Sequence, residues 1–134
     1  MVSRLALGTV QFGLPYGIAS QEKGNACDEA DAILGEAWRG EIDTLDTAIS
    51  YGECEQLLGE IGVDQWQVIT KLPEVPETCA DVTSWVQDSV AGSLERLGVS
   101  KLRGLLLHYP QQLLGPHGDE LYRALVVVRD QGKV

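Results

Sequence analysis

The sequence predicts an α/β domain in which parallel strands alternate with helices. Short runs rich in β-branched residues alternate along the chain with segments whose apolar residues recur at helical spacing. Four such units in strict order are typical of a parallel sheet with helices outside it. The G-x-G-x-x-G fingerprint of an open dinucleotide-binding sheet does not follow the first strand. Its absence favours half of a (β/α)8 barrel of the TIM type over a doubly wound sheet.

The first three strands are predicted from their composition and from the residues that come after them. The first strand is predicted at residues 4–7 and runs into GTVQFG, after which a loop rich in Gly, Pro, Asn and Gln precedes a helix at 26–38. The second strand is predicted at 42–46, with a short helix at 53–59. The third is QVITK at 67–71, which is rich in β-branched residues.

The third helix has the clearest pattern. Thr78 with Asp81 three residues later resembles a capping box, which satisfies free backbone N–H groups at a helix start. The apolar residues after it recur at three- and four-residue steps and predict one apolar face. They are Val82, Trp85, Val86, Val90, Leu94 and Leu97. Gly98 is expected to end this helix.

The last unit is predicted from two apolar segments. Residues 102–107 form a run expected for a strand that is buried on both faces. A fourth helix, which ends near Gly132, is marked by Leu121, Tyr122, Leu125, Val126 and Val128. With no internal repeat or low-complexity linker in the sequence, residues 1–134 are expected to form a single (β/α)4 domain.

The charge balance excludes some partners. Twenty acidic residues oppose ten basic residues, so the formal net charge is −10. Such a chain repels a phosphate backbone and an anionic lipid surface, and we expect neither nucleic acid nor membrane as a partner. No apolar run approaches the roughly 20 residues of a membrane span.

The cysteines indicate a reducing compartment. Cys27, Cys54 and Cys79 are odd in number and contain no CxxC pair, which argues against a disulfide framework or a zinc site. We therefore expect a cytoplasmic protein. Cys54 could border a site, but a small buried residue is the simpler interpretation.

Three predicted strands end in a polar residue. Asp46, Lys71 and His108 stand at the carboxyl ends of the second, third and fourth strands. Those ends converge on one face of a parallel barrel, where active sites form. Singly, the three residues could be a helix cap, a surface lysine and a turn residue before Pro110. Their common position favours a shared site.

Tyr51 adds a proton donor next to this group. A free phenol holds its proton too tightly to exchange it readily at neutral pH, and a neighbouring cation makes proton loss easier. A lysine that plays this role needs a carboxylate to orient it. Asp46, Lys71 and Tyr51 therefore form a candidate proton-transfer chain, with His108 orienting a carbonyl or sharing the proton. Such a set suits carbonyl reduction, in which hydride reaches carbon while oxygen is protonated.

These motifs resemble the aldo-keto reductase superfamily. The matching segments are LALGTVQFG, LDTAISYGECEQLLGE, VITKL and SLERLGVSKLRGLLLHYP, which occur in the family's order and cover nearly the whole chain. The family's catalytic aspartate, tyrosine, lysine and histidine match, in that order, Asp46, Tyr51, Lys71 and His108. The resemblance also implies that NADP(H) or NAD(H) is the cofactor and that a small carbonyl compound is the substrate. The residues it implies near the nicotinamide ribose are Gly8, Thr9, Val10 and Asp46.

Family members are usually eight-unit barrels of about twice this length. The resemblance therefore implies a truncated chain with four of the eight units. It lacks the half that normally holds the adenosine phosphates, so weak or absent cofactor binding is expected. Two copies could close the sheet or bury its unpaired faces, and we expect a homodimer or another homo-oligomer.

Two other functions stay open. The chain could be an inactive half barrel that acts as a small self-associating or binding module. It could also be a hydrolase or lyase that uses Asp46 and His108. The latter is disfavoured because His108 and His117 do not form a metal-ligand set with nearby carboxylates, and no metal is expected. His117 follows Gly115 and Pro116, and is most simply a turn residue or a neighbour of a helix start.

Overall fold

The structure, a computed structural model, describes residues 4–14 and 26–134. Within them, four strands form one parallel sheet in the order β1-β2-β3-β4. The strands are β1 (Leu7–Gly8), β2 (Thr44–Asp46), β3 (Gln67–Leu72) and β4 (Gly104–Leu107). The predicted parallel α/β architecture is confirmed. The predicted loop between the first strand and the first long helix falls mostly on residues 15–25, outside the described residues.

Helices follow each strand. They are α1 (Val10–Gly13), α2 (Ala26–Arg39), α3 (Cys54–Ile61), α4 (Val82–Leu97) and α5 (Gly118–Asp130), with a 3-10 helix at Pro110–Leu114. The sequence pattern did not reveal α1 or the 3-10 helix, because each is only about one turn long. His117 is the residue before α5, as expected for a neighbour of a helix start. No helix among the described residues has the length and apolarity needed to cross a bilayer.

The two faces of the sheet have different surroundings. In β3, Val68, Thr70 and Leu72 are buried beneath the helices, whereas Ile69 and Lys71 on the other face are only partly buried. Strand pairing places further residues beside these two, because paired residues of parallel strands share a face. We call this second face the open face; its members include Gly8, Asp46, Ile69, Lys71 and Leu106.

The predicted burial of the fourth strand on both faces is wrong. Leu106 pairs with Lys71 on the open face, and 47% of its surface is exposed. Among the described residues, helices cover only the opposite face, so the side chain of Leu106 lacks an apolar partner layer. Leu102 is fully buried but lies before the strand, where its backbone N–H donates to Lys133 O. The first two strands are also shorter than predicted, at two and three residues.

The start of α4 corrects the predicted capping box. Asp81 is itself the N-cap, since its Oδ1 accepts a 2.9 Å hydrogen bond from Ser84 N–H, and Thr78 lies outside the helix. The backbone N–H and the hydroxyl of Ser84 both donate to the charged carboxylate, which lowers the pKa of Asp81 from its ordinary value of 3.8. Gly98 ends the helix as predicted, in a left-handed conformation with φ 66°.

A buried carboxylate joins β3 to two helices. Glu55 of α3 is 2% exposed and accepts hydrogen bonds from Thr70, Ser93 and Arg96. Arg96 donates twice to one carboxylate oxygen, with Nε at 2.9 Å and Nη2 at 2.7 Å from Glu55 Oε2. Because a buried charge is tolerated only when it is paired and hydrogen-bonded, this network fixes α3 and α4 against the sheet.

Candidate active site

Asp46 and Lys71 meet at the carboxyl ends of neighbouring strands. Lys71 Nζ donates to Asp46 Oδ1 at 2.5 Å and to the Thr47 carbonyl oxygen at 2.9 Å. The lysine side chain is 16% exposed and the aspartate side chain 38% exposed. Both lie on the open face, because Asp46 pairs with Ile69 and Lys71 follows two residues later. The ammonium group is therefore held in one place while the pair stays accessible from the open face.

Tyr51 lies against this lysine. Lys71 Nζ is 5.3 Å from the centroid of the Tyr51 ring, within the range of a cation–π contact. A turn after β2 brings the tyrosine there: Tyr51 N–H donates to Ala48 O, and Tyr51 O accepts from Cys54 N–H at the start of α3. Gly13 packs so closely here that a Cβ would lie 1.8 Å from Tyr51 O. Only glycine at position 13 permits this approach.

His108 completes the group. Its backbone N–H donates to Leu72 O at 2.9 Å, which extends the β3–β4 pairing by one residue. The imidazole meets Tyr51 edge to face, with centroids 5.9 Å apart and planes at 89°. The structure thus brings together the four side chains predicted from the strand ends and the turn. A lysine cation, a phenol and an imidazole that converge beside one carboxylate can polarise a carbonyl oxygen and protonate it.

The residues predicted near a nicotinamide ribose lie at the end of β1. Gly8 pairs with Asp46, and a Cβ on Gly8 would meet nothing within 4 Å, so space is open there. Thr9 is fully buried, and its hydroxyl donates to Asp46 O at 3.0 Å. The threonine side chain therefore supports the strand ends, whereas Gly8 borders the open space and Val10, in the helix that follows, is partly buried.

Cys54 supports the same segment from below. It is fully buried, as its interpretation as a small buried residue predicted. Its Sγ lies 3.2 Å from Thr9 O, and the Thr47 hydroxyl donates to Sγ at 3.4 Å. The thiol therefore links β1, the end of β2 and α3 beneath the site.

Sequence reasoning missed two residues at the site. Thr47 supplies a carbonyl oxygen to Lys71, a role that any residue type can fill. Gln112 accepts a 3.0 Å hydrogen bond from Val75 N–H through Oε1 and lies one turn beyond His108. A polar residue that is only half-buried on a short 3-10 helix gives no periodic pattern by which it could be found.

A cavity of about 370 Å³ lies away from this site, between α2 and the end of α3. Trp38 and Trp66 border it, with ring centroids 5.0 Å apart. In residues 4–14 and 26–134, no group of three or more His, Cys, Asp or Glu is arranged to hold a metal ion. Asp46, Lys71, Tyr51 and His108 converge instead at the carboxyl ends of the strands.

Comparisons with known proteins indicate the family and the fold. A family model described as the aldo/keto reductase family matches residues 4–134. A Pseudomonas aeruginosa protein assigned as an aldo-keto reductase superposes with a TM-score of 0.80 at 28% identity, covering 98% of this chain and 53% of that one. A protein assigned as a 2,5-diketo-D-gluconic acid reductase B gives 0.65 at 25%, with 96% and 41% covered. No curated protein sequence matches the chain.

A thermostable aldo-keto reductase, solved with the inhibitor epalrestat, has the same fold, with a TM-score of 0.70 at 21% identity. The match covers 96% of this chain and 45% of that protein. The chain thus spans about half the length of the solved structures that it resembles. The four strands of the sheet correspond to part of their (β/α)8 barrels.

Proposed function

Because the chain belongs to the aldo/keto reductase family, we propose that it carries the proton-transfer residues of an NAD(P)H-dependent reduction of an aldehyde or ketone, with Tyr51 as general acid. The observation that supports this most directly is the position of Lys71. Its ammonium group bonds to Asp46 at 2.5 Å and lies 5.3 Å from the Tyr51 ring centroid. A cation fixed in this way can stabilise negative charge that develops on the phenol during proton transfer.

Each residue has a distinct role in the proposed reaction. Tyr51 donates its proton to the carbonyl oxygen of the substrate. Lys71 stabilises the negative charge that this leaves on the phenol oxygen, and Asp46 keeps the lysine in place. His108, edge-on to Tyr51, donates a hydrogen bond to the same carbonyl oxygen and orients it. A reduced nicotinamide cofactor, when bound, supplies the hydride.

The described residues leave space for the nicotinamide end of that cofactor. The open space over Gly8, beside Asp46, could receive the nicotinamide ribose, with Val10 in the helix that follows and Thr9 holding the strand ends together. Lys71, the basic side chain beside this space, already binds the carboxylate of Asp46. We therefore propose weak binding of NADP(H) or NAD(H) by this chain, through its nicotinamide end.

The experiment is cofactor turnover. The chain is mixed with NADPH and a generic aldehyde, and the loss of NADPH fluorescence is followed for the wild type, Tyr51→Phe and Tyr122→Phe. We expect turnover in the wild type and in Tyr122→Phe, whose ring is 62% exposed on α5, and none in Tyr51→Phe. Equal rates in wild type and Tyr51→Phe, including equal rates near zero, would refute this function for the chain.

We also propose that two copies associate through their open faces or strand edges. Two observations support this arrangement. Leu106 is exposed, and the chain covers only about half of each solved structure that it resembles. Residues 1–134 would then act as one (β/α)4 unit of a larger assembly. A cytoplasmic location is proposed because the cysteines are odd in number and Cys54 and Cys79 form no disulfide.

A second candidate function is a half-barrel binding module without catalysis. The open face favours it, because no layer of the described residues packs over Ile69 and Leu106 there. Such a module would form a defined oligomer without affinity for nicotinamide. A fluorescence titration with NADPH separates the two, since micromolar binding contradicts the module and supports the reductase.

A further inference from the structure

His108 has one ring nitrogen without a partner. Its Nδ1 is buried, and no group in the described part of the chain is hydrogen-bonded to it. The other nitrogen, Nε2, is not among the buried unpaired atoms. In a neutral imidazole one nitrogen carries the proton and the other accepts a hydrogen bond. The group that binds Nδ1 therefore decides whether Nε2 has a proton to offer.

Gln112 has the complementary unpaired atom. Its Nε2 is also buried and also lacks a partner among the described residues. The orientation of this amide is fixed, because Val75 N–H can only donate and is bonded to Gln112 Oε1 at 3.0 Å. The amide group that is left over must therefore be the N–H2 donor.

The two residues bond to neighbouring positions of one segment, at the end of β3 and just after it. The backbone N–H of His108 bonds to Leu72 O, and Gln112 Oε1 bonds to Val75 N–H, three residues further along. The 3-10 helix that begins at Pro110 turns Gln112 back toward this segment. No hydrogen bond joins the two atoms in the structure, but a buried donor and a buried nitrogen on residues that bond to one segment have the complementary chemistry to pair with each other.

We propose that Gln112 is a positioning residue that makes Nδ1 of His108 a hydrogen-bond acceptor and so keeps the proton on Nε2. This rests on the proposed function in one respect: His108 must donate to a carbonyl oxygen. A neutral imidazole can do so through Nε2 only when Nε2 carries the proton. Gln112 touches neither the substrate nor the reacting atoms.

The test measures which imidazole nitrogen of His108 carries the proton. The chain has two histidines, so a two-bond 1H–15N spectrum of labelled protein contains two ring systems, and His117→Gln assigns them. Spectra are recorded at a pH of about 8.5, where a free imidazole is neutral. We expect His108 of the wild type to carry its proton on Nε2 and to have an unprotonated Nδ1.

Gln112→Glu is the decisive variant. A glutamate keeps an oxygen for Val75 N–H but replaces the donor by a second acceptor, so Nδ1 of His108 should become protonated. Gln111→Glu, at an exposed neighbouring position, adds the same charge and should leave the wild-type pattern unchanged. Gln112→Met removes both contacts and should give a mixture of the two tautomers. The fold of each variant is checked by its backbone amide spectrum.

The inference is overturned if wild-type His108 carries its proton on Nδ1, or if Gln112→Glu keeps the wild-type pattern. If Gln112→Glu fails to fold, Gln112→Met decides, and an unchanged tautomer in it overturns the inference equally. Turnover is measured in parallel, where loss of the Nε2 proton should lower kcat more than it changes KM. Absence of wild-type turnover would refute the proposed function while the spectra still decide the role of Gln112.

Discussion

Lys71 donates a 2.5 Å hydrogen bond to Asp46 across two adjacent parallel strands. Lys71→Met removes the cation beside Tyr51, and we expect turnover to fall by about 10²–10⁴-fold, the usual contribution of general acid–base catalysis. Lys101→Met, at an exposed position, is the matched control. Asp46→Asn keeps an acceptor for the lysine and should lower turnover less than Lys71→Met does. Comparable rates for Lys71→Met and Lys101→Met in a steady-state assay would contradict this role.

Arg96→Leu should destabilise the fold through Glu55. The substitution leaves a 2% exposed carboxylate without its cation. We expect the free energy of unfolding to fall by about 2–3 kcal/mol, less than for a fully buried pair because Arg96 is 40% exposed. Arg129→Leu breaks the exposed pair with Asp130 and should cost under about 1 kcal/mol. Urea unfolding at one protein concentration measures both, and equal losses would argue against the network.

Asp81 should make the stability of α4 depend on pH in the acidic range. Its folded pKa lies below its ordinary value of 3.8, chiefly because Ser84 N–H donates to the carboxylate. A lowered folded pKa means that the contribution is fully present above the unfolded value and is lost as pH falls through the folded one. Asp81→Ala should therefore melt below the wild type at a pH of about 7, with a gap that narrows in acid.

The control for this variant is Asp88→Ala, which removes a carboxylate from the middle of the same helix. At neutral pH, Asp88→Ala should not show the lowered melting temperature that we expect for Asp81→Ala. Thermal unfolding followed by circular dichroism measures both variants. A gap that stays constant down to low pH would show that the charge of Asp81 has no part in its contribution.

Leu106→Lys should weaken self-association. Leu106 is 47% exposed on the open face, and a charge there opposes burial against a second copy. Leu114→Lys changes a leucine that is 92% exposed outside the sheet and should leave association unchanged. Light scattering should give twice the chain mass of 14.5 kDa for the wild type and one chain mass for Leu106→Lys. A monomeric wild type would exclude this mode of assembly.

The strand ends could be predicted because their apolar runs stop at a polar residue. Asp46, Lys71 and His108 were found in this way, since parallel strands bring their carboxyl ends to one edge. The place of Tyr51 depends on a turn and on its close approach to Gly13, which no periodicity describes. Its role was predicted from chemistry and resemblance instead.

Other features depend on residues that are distant in sequence. Glu55 bonds to Thr70, Ser93 and Arg96, which lie 15, 38 and 41 positions away, so its burial has no local pattern. Thr78 and Asp81 are both good cap residues, and only the observed reach to Ser84 N–H decides between them. The exposure of Leu106 could not be predicted either, because apolarity alone does not say what covers a strand.

The alternation of β3 also bears on how the chain must fold. Thr70 bonds to Glu55 beneath the helices, while its neighbour Lys71 bonds to Asp46 on the other side of the sheet. A slip of β3 by one residue would exchange the two faces. The lysine would then enter the layer under the helices, and Asp46 would meet a hydroxyl that cannot neutralise it. The two adjacent residues therefore both favour the observed register. A strand shifted by one residue would lose the Thr70–Glu55 and the Lys71–Asp46 hydrogen bonds together.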